Sequence, residues 1–148
     1  MYKRQILFVT LILLISNSCG FSDFEGFKCR IDEERFETEN VSVSISIEDN
    51  SLMLSATTVS NIPGTIRIGI SDNFDGEGTY EFNEGSNYAS FNPSQFTIVQ
   101  YNSFNGSLTI SDLNKERIEG TFNFSALRNT PESGEIISIT RGEFNIAR

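Results

Sequence analysis

From residue 27 to its end, the chain alternates between apolar and polar positions. Phe27, Cys29 and Ile31 alternate with Lys28, Arg30 and Asp32. Phe36 sits in a short partner segment after the acidic turn Asp32-Glu33-Glu34. Val41, Val43, Ile45 and Ile47 alternate strictly with Ser42, Ser44, Ser46 and Glu48, the clearest half-buried strand of the chain. A period of two puts one set of side chains on one face of an extended strand, and β-branched residues suit that pleated surface. Leu52, Leu54 and Ala56 carry the return strand, and Ile66, Ile68 and Ile70 the next. Tyr80 and Phe82 mark a short strand, Tyr88 to Phe91 a brief edge strand, and Leu108 and Ile110 another strand. Ile118, Gly120, Phe122, Phe124 and Ala126 form a long one. No helical periodicity extends beyond two turns.

The breaks are as regular as the strands. Asn61-Ile62-Pro63-Gly64, Asp72 to Gly78, Asn83 to Asn87 and Asn129 to Gly134 are loops with Gly, Pro and Asn chemistry. Asn105-Gly106 is a hairpin-turn dipeptide. Phe96 and Ile98 share one face while Val99 and Tyr101 share the other, a phase shift that predicts a bulge near Ile98. Ile137 and Ile139 give way to Phe144 and Ile146, with Gly142 at the change of phase. Glycine recurrently opens or kinks a strand, as in Gly78-Thr79-Tyr80-Glu81-Phe82 and Gly120-Thr121-Phe122-Asn123-Phe124, but at no fixed period. That rhythm predicts an all-β fold, an antiparallel sandwich or barrel-like meander of about ten short strands. The strands Gly120 to Phe124 and Thr140 to Phe144 give two motifs, Gly-Thr-Phe-x-Phe and Thr-x-Gly-x-Phe. In these the chain resembles a family of small uncharacterised Bacteroidetes-type lipoproteins, a resemblance that implies a β-domain and brings no assigned activity.

The front of the chain is different. Lys3 and Arg4 precede a ten-residue apolar run, Ile6 to Ile15, broken only by Thr10. A membrane-spanning helix needs about 20 apolar residues, so the run fits the core of a secretory signal. Ser16, Asn17, Ser18 and Cys19 follow. This segment resembles the lipobox of bacterial lipoproteins, although Ser16 stands where Leu is usual. The resemblance implies cleavage before Cys19 and a diacylglycerol on its thiol. Ser22, Asp23, Phe24 and Glu25 resemble the acidic export tag of surface lipoproteins; as plain chemistry they make a solvated acidic linker. The expected organisation is a signal peptide over residues 1–18, a lipidated acidic tether over 19–26 and one β-domain over 27–148. The expected location is the outer membrane, facing the cell exterior, with a periplasm-facing arrangement as the alternative.

Charge and residue types narrow the chemistry. The net charge is −9, and removal of Lys3 and Arg4 with the signal takes it to −11. A chain this acidic repels nucleic acid and anionic headgroups, so membrane contact is expected through the lipid alone. Cys29 is the one cysteine left once Cys19 is acylated, so no internal disulfide forms and thirteen Phe residues supply the core. The absence of histidine excludes His-based nucleophile pairs and His-ligated metal sites. Cys29 lacks an activating base and reads as a small core residue. No cofactor is implied. Asp72, Asn73, Asp75 and Glu77 cluster around Gly76, a set of oxygens that suits calcium in kind but reads first as a solvated turn. Aligned on Gly76, an EF-hand would begin at Ser71 and end at Phe82, which the motif does not allow. Phe74 and Phe104 lie beside turns, where aromatics either grip a partner or fold back over the core. These features favour a non-enzymatic binding or accessory module with an outer-membrane protein or glycan as partner. The alternatives are a barrel that carries a small apolar ligand and a carboxylate-dependent glycan hydrolase, which needs two facing acids.

Overall fold

The computed structural model describes residues 24–46, 48–59, 61–83, 86–94, 98–129 and 134–148. The expected signal segment, Cys19, Ser22, Asp23, Ile47 and Phe96 lie outside the described residues, as do parts of the loops expected at 83–87 and 129–134. The strands are β1 (Gly26–Ile31), β2 (Glu34–Thr38), β3 (Val41–Ser46), β4 (Ser51–Thr58), β5 (Gly64–Ile70), β6 (Gly78–Glu81), β7 (Tyr88–Asn92), β8 (Tyr101–Leu113), β9 (Arg117–Arg128) and β10 (Ile136–Ala147). They form one antiparallel sheet in the order β2-β1-β10-β9-β8-β7-β5-β4-β3, with β6 alongside β8.

Every neighbour in that order is antiparallel, so β2 and β3 at its two ends point the same way. Two residues, Glu39 and Asn40, link them. They act as two halves of one bent strand, the first paired to β1 and the second to β4. Thr38 Oγ1 donates to the Thr57 carbonyl at 2.7 Å, and the Thr57 amide donates to the Asn40 carbonyl at 3.0 Å. These bonds join the two ends of the sheet and turn it into a nearly closed barrel.

The interior is aromatic. Phe27 stacks on Phe122 at 4.6 Å between ring centroids and meets Phe36 edge-on at 6.2 Å. Phe36 meets Phe91 edge-on, and Phe91 stacks on Tyr101. Phe82 meets Phe124 edge-on at 5.9 Å. Offset and edge-on contacts of this kind add to the burial of each ring.

Rings of this size fit because glycines stand opposite them. Across β9 and β10, Gly120 pairs with Phe144 and Gly142 pairs with Phe122. A methyl on Gly120 would come to 2.5 Å from the Phe144 ring and would strike the Thr109 carbonyl. One on Gly142 would come to 2.6 Å from the Phe122 ring and would strike that residue's carbonyl. The two motifs of the sequence are therefore one reciprocal interlock. Gly69 opposite Tyr88 repeats the ring-over-glycine arrangement, whereas Gly106, opposite Phe124, makes room for backbone.

Three local expectations change. Asn105-Gly106 makes no hairpin: β8 runs straight through it, and the register with β9 slips between Ser103 and Asn105. Gly106 takes φ +118 and uses its freedom for a bulge beside the Asn123 carbonyl, so the strand bends without reversing. Ile98 lies outside the strands and is 90 % exposed, so the phase shift there marks a loop, with Tyr101 starting β8 afresh. β7 is an inner strand, between β5 and β8. It and β6 point the same way and share one edge of β8, so each stays short. β3, whose alternation is the clearest in the chain, is an end strand with Val41, Val43 and Ile45 only partly buried.

Two expectations follow from this packing. Gly120→Ala and Gly142→Ala each force a methyl into backbone and ring, and each is expected to lower the unfolding free energy by about 1–3 kcal/mol. Gly69→Ala meets only the half-exposed Tyr88 ring, which can swing away, and is expected to cost less. Urea unfolding ranks the three; equal losses would contradict the interlock. The second concerns pH. Burial pushes the Cys29 thiol from the usual 9.0 up to about 12. The unfolded thiol ionises first, so its contribution is complete below about pH 9 and is lost as pH rises toward 12. Burial also raises Tyr80 and Tyr101, which adds to the same alkaline loss. The urea midpoint of Cys29→Ala is expected to fall less steeply above pH 9 than that of the parent; parallel curves would refute it.

Candidate functional site

The acidic loop after β5 disperses its oxygens. The Tyr80 hydroxyl donates to Asp75 Oδ1 at 2.8 Å and contacts the Gly76 carbonyl oxygen at 2.7 Å. Burial, then the bond to Asp75, holds the Tyr80 hydroxyl above its ordinary pKa. Glu77 Oε1 accepts from the Leu113 amide at 3.1 Å, on the far strand. Asp72, in the left-handed region at φ 66, and Asn73 face solvent. Among the described residues no three His, Cys, Asp or Glu side chains gather as metal ligands. Asp75 and Glu77 thus work as loop fasteners, on partners in different strands.

The two singled-out aromatics part company. Phe74 is buried and packs on Tyr80 at 5.5 Å, folded back over one end of the barrel. It is not free to grip a partner, because closing that end of the core uses its whole ring. Phe104 sits at the bulge of β8, not at a turn, and remains about half exposed at 48 %. Of the tag-like residues, Phe24 and Glu25 are described. Asn145 Nδ2 donates to the Phe24 carbonyl at 2.8 Å, and Lys28 Nζ lies 4.3 Å from the centre of the Phe24 ring. The chain is thereby held against the outside of β10 just before β1 begins.

A long concave surface follows the seam where the barrel closes. Among the described residues β3 pairs with β4 alone, so its other edge is unpaired. Three clefts of about 420, 390 and 320 Å³ run along it. The first lies between Val41 and Glu39 on one side and Asn145 to Ala147 on the other. The next lies between Val43, Ile45 and Arg148, and the last between Ile45, Leu113 and Phe74. Extended backbone with spare N–H and C=O groups beside apolar side chains can accept another extended segment. The alternation of β3 marked this strand in the sequence, but the open edge comes from pairings far along the chain.

The interior, by contrast, is occupied by the aromatic network, with Cys29 buried within it. Cys29 is buried with its pKa raised by desolvation, whereas a nucleophilic thiol needs a lowered one.

No curated protein sequence and no solved structure matches the chain. Residues 25–146 match a family described as a domain of unknown function, DUF6252. The match takes in both motifs of the β9–β10 interlock and all ten strands except Ala147, the last residue of β10. On that span the chain belongs to the DUF6252 family.

Proposed function

We propose that this protein is a lipid-anchored surface lipoprotein of the outer membrane, of the Bacteroidetes type, whose β-domain binds a partner and catalyses no reaction. The observation that carries the binding half of this reading is the contrast between a filled interior and an open seam. Rings from β1, β2, β7, β8 and β9 occupy the space that a carried apolar ligand would need. Recognition is left to the outside, where the unpaired edge of β3 offers backbone groups to an outer-membrane neighbour. The absence of histidine and the inert thiol support a non-enzymatic role.

The anchoring half rests on the sequence: the charged start, the ten-residue apolar run and Cys19. Each buried methylene of an acyl chain contributes about 0.8 kcal/mol, and two or more chains make attachment stable. The clasp on Phe24 supports a short tether, because it leaves only residues 19–23 between the acylated thiol and the barrel wall. Five residues reach at most about 18 Å, so the barrel would ride close to the bilayer.

Cys19→Ala is expected to move the protein from the membrane fraction to the soluble one, and protease added to intact cells is expected to remove the parent. A variant that still sediments with membrane would overturn the anchor, and full protection would place the domain in the periplasm. Calcium is expected to leave the melting temperature unchanged, since Asp75 and Glu77 are already engaged. A rise abolished by Asp75→Ala would show that the loop takes the ion.

A further inference from the structure

The chain carries 20 acidic and 11 basic residues, yet one cleft on the barrel wall reverses that balance. It is about 270 Å³, formed on β1, β2 and β10, and Lys28, Arg30, Arg35 and Arg141 line it with Glu143 as its sole acid among the described residues. Two features of its construction work against stability. Arg30 on β1 stands directly opposite Arg35 on β2, and like charges in that position repel. Across the other edge of β1, Arg30 pairs with Thr140, and Arg141 follows in the β10 bulge. Arg141 holds φ 52, a left-handed conformation that a side chain disfavours. Strain and repulsion retained at one spot mark sites that serve something other than folding.

The acids nearby only partly answer this charge. Lys28 bonds Glu143 at 2.9 Å. Arg35 pairs with Glu37, and Arg30 reaches Glu33 at 3.9 Å, but neither of those acids lines the cleft. Arg141 forms no ion pair among the described residues, and the residue is exposed.

We propose that this cleft binds a phosphate group. One guanidinium fork satisfies a carboxylate, which has two oxygens and a single charge. Three guanidinium groups and an ammonium around one opening suit an anion with more oxygens and up to two charges. Phosphate supplies both. The phosphate comes either from a soluble ligand or from a lipid headgroup, and the cleft shares Lys28 with the Phe24 clasp, on the side from which the chain enters the barrel. The proposal stands whether or not Cys19 is acylated.

The test is calorimetric titration of the full chain in neutral detergent, in phosphate-free buffer. The titrants are inorganic phosphate, dihexanoyl phosphatidic acid, dihexanoyl phosphatidylcholine and acetate. Saturable binding of phosphate or phosphatidic acid is expected, with acetate weaker. Binding of phosphate identifies a soluble source, and binding of phosphatidic acid alone identifies the membrane; both support the site. Arg141→Gly is expected to weaken binding about tenfold or more while holding or raising the melting temperature, since it removes a charge-assisted bond and relieves the backbone together. Arg67→Ala, on the exposed face of β5, is the charge control and is expected to bind as the parent does. The proposal is overturned by no binding of either phosphate compound, by equal binding in Arg141→Gly, or by acetate binding as tightly as phosphate.

Discussion

The barrel depends on two phenylalanine rings lying over two glycines. β9 and β10 are among its longest strands, and every other part of the sheet is built outward from them. Between them, Phe144 covers Gly120 and Phe122 covers Gly142, so each strand supplies both a ring and the hollow for the other's ring. The register is fixed by shape as well as by hydrogen bonds. A slip of one residue would put a ring against a Cβ and turn the apolar face of the strand outward. Phe27 of β1 then stacks on Phe122, which ties a third strand to the pair.

Closure is the second constraint. A sheet of short antiparallel strands leaves two exposed edges, and this chain removes much of that exposure by letting one bent strand serve both. β2 completes the ladder on β1, and after Glu39 and Asn40 the same run of chain completes the ladder on β4. The bend closes the barrel at one end of the seam and leaves β3 splayed from β10 at the other. The grooves along β3 are therefore a by-product of how the wall is joined.

Much of this architecture was legible in the sequence because strand alternation is local. β1, β3, β9 and the phase change in β10 at Gly142 can be read residue by residue. Asn105-Gly106 misled because a glycine with positive φ serves a bulge as readily as a turn, and only the pairing with β9 decides which. Ile98 misled because its apolar side chain points to solvent, where periodicity has no meaning. The edge status of β3 and the inner place of β7 depend on strand order, which alternation does not encode. The basic cleft was illegible for the same reason. Lys28, Arg30 and Arg35 lie near one another in the chain, but Arg141 joins them only because β10 returns beside β1. Asp72 to Glu77 looked like a site because its acids are adjacent in sequence, yet the fold sends Asp75 and Glu77 to different strands.

The clasp at Phe24 also settles how the barrel answers force. The carbonyl of Phe24 is tied to Asn145, and the chain then enters β1, which is bonded to β2 on one edge and β10 on the other. Tension entering from the N-terminal side along that strand must slide it past both neighbours at once. Under a pull along the strand axis the hydrogen bonds of both ladders share the load in shear. The same placement that buries Phe27 in the core sets the entry strand between two ladders, so a pull along its axis loads both.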